Sequence, residues 1–276
     1  KMKRIIGRIK KDLKIRGNKE NAIAMEKYMK HTHKCYGIKA PEMNAYFKDF
    51  IKQDPQLSVE DQINLAMNHL LPSNYGEEHH LGILVLRKNV KKITSKGEAY
   101  TRDVLDRAGD VLLNHTNNWA ECDRMCMFIA DILKTDEMKY RDHIANWKSA
   151  VHENTGTASI WKQRAAAVSF VRYGRHGRHT ELILDICESL LESKERFIQL
   201  GAGWVLREVS KHDIVVIETF IRDHQDAFIR ESLRYATEHI KKVDPELYQT
   251  LLSLSKRKRP SSFRDPQVDL KKKKLL

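Results

Sequence analysis

The residues best placed to do chemistry are tryptophans, a carboxylate and arginines that recur at helical spacing. In Asn-Asn-Trp-Ala-Glu-Cys-Asp, from Asn117 to Asp123, Trp119 and Asp123 stand at i and i+4 and share one helical face. Two further tryptophan segments follow. Ile160 to Ala166 carries Trp161, Lys162 and Arg164, and Phe197 to Glu208 carries Trp204 and Arg207. A carboxylate beside an indole face is suited to stabilising positive charge, with the cation–π part contributing about 0.5–2 kcal/mol. Arginine and lysine beside it suit phosphate. Each residue also has a plainer role open to it. A tryptophan in a helical protein is often core, Asp123 can pair with Arg124 or a nearby lysine, and Arg164 and Arg207 can be surface charges.

Other chemistries find less support. His31 and His33, His79 and His80, and His176 and His179 form pairs, and Cys122 and Cys126 lie four apart. No group has the two-pair spacing of a structural zinc site, so no metal is expected. Phosphate-cradling glycine loops and nucleophile elbows are absent from the sequence, and no cofactor is expected. The four cysteines, with Cys35 and Cys187 the other two, form no CxxC pair and read as reduced thiols. Gly201 and Gly203 suit close approach of another helix or of a DNA backbone.

The elements that must position these residues are helices. No proline lies between Pro72 and Pro245, which permits a long helical run. Ile183, Ile186, Leu190 and Leu191 fall on one helical face, as do Ile198, Ala202, Val205 and Leu206. The spacing predicts helices over 20–34, 42–52, 58–70, 76–92, 98–114, 119–133, 138–151, 158–173, 179–192, 196–210, 213–223 and 227–241. Thr157 and Ser193 are candidate N-cap regions. Helix pairs recur about every 38–40 residues, the period of HEAT-like or armadillo-like arrays. The expected fold is therefore all-α, a curved HEAT-like solenoid with a concave basic face, with an irregular helical bundle as the alternative. Three regions are expected: a basic N-terminal segment over 1–19, the repeat domain over 20–245, and a basic, disordered tail over 246–276. From Ser255 the tail has no amphipathic pattern, and its clusters Lys256–Arg259 and Lys271–Lys274 suit nuclear targeting, a DNA tether, or no role beyond solvation.

Charge narrows the partner. In 276 residues, 50 Lys and Arg stand against 37 Asp and Glu, a net charge of +13 that favours a polyanion. No stretch approaches the roughly 20 apolar residues of a membrane span, and no long apolar region follows the basic start, so neither membrane insertion nor secretion is expected. The expected location is intracellular, nuclear if the source is eukaryotic and cytoplasmic otherwise. With no obvious oligomerisation stripe, a monomer is expected.

Taken together, the three tryptophan segments closely resemble the HEAT-like DNA alkylation repair glycosylases, the AlkD-like alkylpurine DNA glycosylases. Met-Glu-Lys-Tyr-Met-Lys (25–30) and Tyr-Gly-Ile-Lys-Ala-Pro (36–41) look like that family's opening helices. So does Ser-Lys-Glu-Arg-Phe-Ile-Gln (193–199) leading into Gly-Trp-Val-Leu-Arg-Glu (203–208). The resemblance covers roughly 20–240, is strongest over 117–210 and is weak over about 52–100. It implies that Asp123 is the catalytic carboxylate and that Trp119 and Trp204 contact the lesion's deoxyribose. It also implies that Arg164 contacts phosphate and that Tyr28 lies near the lesion backbone. Arg207 and Lys162 are further candidates for DNA contact. The basic tail is not part of that pattern.

The implied activity is hydrolysis of the N-glycosidic bond of N3- or N7-alkylated purines in double-stranded DNA, which begins base excision repair. Alkylation at these positions makes the base cationic and a good leaving group. Positive charge then develops on the sugar, where a carboxylate stabilises it and positions water. Most glycosylases flip the base into a pocket; the resemblance implies instead that the lesion is held from the backbone side. Two other readings stay open: a non-catalytic HEAT-like protein for damaged or branched DNA, and a protein-interaction scaffold.

Overall fold

Helix formation follows from stripes and caps that can be read residue by residue. In the computed structural model, which describes residues 1–254, Ile5, Ile9 and Leu13 make a buried stripe along α1 (Met2–Arg16). There follow α2 (Lys19–Tyr28), α3 (Ala40–Gln53), α4 (Val59–Leu65), α5 (Gly76–Thr94), α6 (Glu98–Asn114), α7 (Trp119–Leu133) and α8 (Glu137–Ala145). Then come α9 (Ile160–Val168), α10 (Val171–Gly174), α11 (Thr180–Leu191), α12 (Arg196–Val209), α13 (Ile214–Asp223), α14 (Arg230–Ala236), α15 (Ile240–Val243) and α16 (Pro245–Leu254). Several starts are capped as the chemistry of free N–H groups requires. Ser58 Oγ accepts from Asp61 N, Asn118 Oδ1 from Glu121 N and Asp213 Oδ1 from Val216 N. Among the described residues the fold is all-α, with only two isolated β-bridges, Lys34 with Tyr75 and Val151 with Ala158.

The chain divides into two compact units, Lys1–Tyr140 and Arg141–Leu276. In the first, α7 packs along α5, and α3, α4 and α6 also pack on α5. Glu77, at the start of α5, is buried and grips the loop that returns from α2. Its Oε2 accepts from Tyr36 N at 3.0 Å, and its Oε1 accepts from Gly37 N at 2.8 Å and Ile38 N at 3.1 Å. Gly37 has φ +87°, and a Cβ there would lie 2.0 Å from the Asn18 carbonyl oxygen, so only glycine fits.

In the second unit α12 is the hub, packed on α9, α11 and α14. Gly201 and Gly203 make that approach: a Cβ at Gly201 would meet the Arg164 side chain at 3.1 Å, and one at Gly203 the Ser232 carbonyl at 2.8 Å. It is thus neighbouring helices that the two glycines admit. Buried Gln199 ties two connections together, α11 to α12 and α13 to α14, its Nε2 donating to the carbonyls of Leu191, Ser193 and Ala227 at 2.9 Å each. Its Oε1 accepts from Ile229 N at 2.8 Å.

Several expectations need correction. Residues 1–19 are not merely a basic segment, because α1 contributes three core residues. The tail's first part, 246–254, lies in α16, while its clusters Lys256–Arg259 and Lys271–Lys274 lie outside the described residues. The expected helix 58–70 changes at Ala66 into a wider π turn, Ala66–Leu70. The helix expected over 158–173 breaks at Ser169–Phe170 into α9 and α10, and that over 227–241 breaks after Ala236. The end of 138–151 tightens into a 3-10 turn at Asn146–Ser149. Ser159 and Glu195, not Thr157 and Ser193, occupy the N-cap positions of α9 and α12.

Candidate functional site

Asn118 starts α7, and the residue after it is Trp119. From there Trp119, Asp123 and Met127 follow at i, i+4 and i+8, so they form one stripe that the core does not cover. Trp119 and Asp123 are half-buried, and Met127 is 45% exposed. Across from them stands α2. Tyr28, 69% exposed, meets Trp119 edge to face with ring centroids 5.8 Å apart and planes at 75°. Between the two helices is a cleft of about 570 Å³. Its walls are Ala24, Met25, Tyr28 and Met29 on one side and Trp119, Ala120, Asp123 and Met127 on the other, with Asn21, Lys39 and Arg124 as its other polar groups. Asp123 therefore faces a largely apolar space beside an indole. Next to it, burial draws the Arg124 guanidinium downward, while the charges of Glu121, Glu77, Cys35 and Asp123 oppose that shift.

The cleft is held open by the turn after α2. Asn117 Nδ2 donates to the Thr32 carbonyl at 3.3 Å, and Glu26 Oε1 accepts from Cys35 N at 2.9 Å. Lys34 N donates to Asn74 O, and Gly76 N donates back to Lys34 O. Behind α7, buried His33 and Glu121 face each other at 3.1 Å. His79, fully buried on α5, is held well below the ordinary imidazole range by burial, and burial brings His80 down to about 4. Histidines so placed stay neutral at pH 7.

Of the sequence-predicted residues, the structure thus brings Trp119, Asp123 and Tyr28 into one cleft in the first unit. The others belong to the second unit. Trp204 is half-buried on α12. Arg207, three residues on, donates from Nη1 to Glu238 at 2.5 Å and from Nη2 to Glu208 at 3.0 Å, and its guanidinium lies 4.7 Å from the Tyr235 ring centre. Lys162 Nζ lies 5.6 Å from the centre of the Trp147 ring. Arg164 is 4% exposed, and its Nη1 donates to the Phe197 carbonyl at 3.0 Å, so here it ties α9 to α12. Trp161 is buried against Phe197, ring centroids 5.2 Å apart, and belongs to the core.

Sequence reasoning missed the methionine wall and the polar network behind α7. A signal for the second existed. Glu121 falls beside Cys122 and in step with Met125 and Phe128, the spacing of the buried face, so a carboxylate was due to be buried there.

A sequence model described as DNA alkylation repair enzyme matches residues 9–240. The chain belongs to the DNA alkylation repair enzyme family. A solved structure described as a predicted DNA alkylation repair enzyme from Enterococcus faecalis shares the fold, with a TM-score of 0.66 and 18% identity over 82% of this chain and 98% of that one. No curated protein matches the sequence. Family membership makes this an enzyme of DNA alkylation repair with DNA as its substrate, and the charge of +13 has the sign such a substrate requires.

Proposed function

We propose that this DNA alkylation repair enzyme is a monofunctional glycosylase that hydrolyses the N-glycosidic bond of N3- and N7-alkylated purines in double-stranded DNA. The observation that carries the reading is the single cleft in which Asp123, Trp119 and Tyr28 meet. As the C1′–N bond breaks, its electron pair stays with the cationic base, which leaves neutral. The positive charge that develops on the sugar is stabilised by the Asp123 carboxylate and the Trp119 face. Water adds to C1′, and its proton passes to Asp123 and then to solvent. The apolar walls raise the effect of one carboxylate by lowering the local dielectric.

In this reading Trp204, Arg207 and Lys162 contact the sugar-phosphate backbone, and binding weakens with salt and carries little base preference. Arg164 acts from inside, by holding α12, which carries Trp204, against α9. The test is release of 7-methylguanine and 3-methyladenine from methylated duplex. Asp123→Asn should slow it about 10²–10³-fold, the usual loss when one charge-stabilising group is removed. A variant as fast as the wild type overturns the assignment.

A further inference from the structure

The turn that follows Tyr28 and the first turn of α7 are joined by a buried polar bridge. His33 Nδ1 lies 3.1 Å from Glu121 Oε1 and 3.1 Å from Asn118 Nδ2. Asn118 and Glu121 are each 1% exposed and His33 is 6% exposed. Asn118 also caps α7 through Glu121 N, and Asn117 beside it reaches the Thr32 carbonyl. The same few residues therefore set where Trp119 and Asp123 emerge and where the Tyr28 turn rests.

The contact requires an uncharged carboxyl. Asn118 Nδ2 donates to His33 Nδ1, whose single lone pair is thereby used, so the Glu121 oxygen 3.1 Å away faces an acceptor without a hydrogen bond to it. Neither Glu121 oxygen has a hydrogen-bond partner of normal geometry. A carboxyl so buried and without a close donor keeps its proton. Burial pushes the Glu121 carboxyl up to about 8, against the pull of Asn118, Arg124 and Asn117, and it pushes the His33 imidazole down. The other ionisable groups around the bridge are Arg124 and Asp123 on α7, Glu77, His79 and His80 on α5, and Cys35 and Glu26 from the α2 side. Burial holds Cys35 up to about 12 and both α5 histidines neutral, so none of these three changes charge near pH 8.

We propose that Glu121 is a positioning residue: as a neutral acid it packs against His33 and Asn118 and so lets the Tyr28 turn rest on the Trp119–Asp123 turn. Ionisation sends the proton to solvent and leaves an anionic oxygen against the imidazole lone pair, and the two turns part. Glutamine has the same shape and stays uncharged at every pH.

Three measurements test this; the second rests on the glycosylase reading and the other two do not. First, thermal midpoints of the wild type and Glu121→Gln are compared across pH. A carboxyl raised from 4.5 to about 8 contributes stability that is complete below the lower value and lost as pH rises to the upper one. The wild-type midpoint should therefore fall relative to the variant's from about pH 5 to 8 and run parallel above; parallel curves throughout overturn the proposal. Second, wild-type excision should decline about tenfold per pH unit above roughly pH 8, while Glu121→Gln stays level to about pH 9.5 and Glu121→Ala is slow throughout. A shared alkaline limb, or a glutamine variant as slow as the alanine one at neutral pH, overturns it. Third, the His33 ring proton in the wild type should hold its NMR shift from about pH 6 to 7 and move only as Glu121 ionises near pH 8; titration near the ordinary 6.5 overturns it. If no variant releases base, the glycosylase reading fails, and the midpoints and the NMR shift still decide the bridge.

Discussion

Two glutamates in this protein are equally buried and behave in opposite ways. Glu121 near the start of α7 and Glu208 near the end of α12 are each 1% exposed. Around Glu121 the neighbours are an imidazole, an amide and one half-buried arginine, and burial drives its carboxyl up to about 8. Around Glu208, Arg175 Nε at 2.7 Å, Lys211 Nζ at 2.8 Å and Arg207 Nη2 at 3.0 Å converge. Burial pushes Glu208 upward too, but the hydrogen bonds from Lys211 and Arg175 outweigh it and the carboxyl ends below its ordinary value. Burial sets the sign of a shift only where donors are scarce. The first region is held by neutral polar groups, the second by fixed charge.

That contrast can be broken or sharpened by substitution. Asp123→Asn, with the loss of about 10²–10³-fold given above, carries the largest effect, and it should leave the melting midpoint within a few degrees of wild type. The same loss from a change confined to the Glu208 cluster would move the chemistry to the second unit. Next is Glu208→Ala, expected to cost about 2–3 kcal/mol in urea unfolding. That is below the usual 3–5 for a broken buried pair, because Arg175 and Lys211 reach water. The pH signs should also oppose. A lowered carboxyl contributes stability above about pH 4.5 that disappears as pH falls, so the wild type's advantage over Glu208→Gln shrinks on acidification, whereas its advantage over Glu121→Gln grows. Two variants with the same pH slope would erase the distinction.

Smaller effects lie at the seam of the cleft. Asn118→Ala removes both the cap of α7 and the amide contact to His33, and should cost about 1–2 kcal/mol by thermal melting, with excision reduced as well. Tyr28→Leu keeps an apolar wall and loses the edge-to-face contact. About 0.5–1.5 kcal/mol, read as a several-fold slower excision with an unchanged midpoint, is the expected size. An unchanged rate would remove Tyr28 from the site and leave it a surface residue.

The sequence was most readable where period and composition agree. The i, i+4 placement of Trp119 and Asp123 is simple geometry, and the helices over 98–114 and 119–133 stand where their apolar spacing puts them. Breaks were less visible, because the changes at Ala66 and Ser169 carry no proline or glycine to mark them. Two elements were misread for opposite reasons. In α1 a narrow Ile5–Ile9–Leu13 stripe is outnumbered by lysines and arginines, so charge concealed it. In α16, Pro245 suggested an end although proline fits the first turn of a helix, where it opens this one. Arg164 shows the limit of residue type: an arginine at helical spacing reads as exposed, and only the room beside Gly201 reveals that its stem can lie inside.

The cleft has one firm wall and one soft one. α7 buries Cys122, Met125, Phe128, Ile129, Ile132 and Leu133, whereas α2 buries no residue fully. α2 is fastened at its two ends, by Asn18 and Gly37 at one and by Glu26 and Tyr28 at the other. A segment with so little apolar burial opens at low free energy while the rest stays folded. In deuterated water its amides should exchange within seconds to minutes while those of α7 persist for hours or longer, and a protease should nick 19–28 before any other helix. If DNA binds as proposed, with its backbone at Tyr28, the gap between the two rates should close. Exchange slowing in α2 would then report occupancy of the cleft without any need for a reaction to occur.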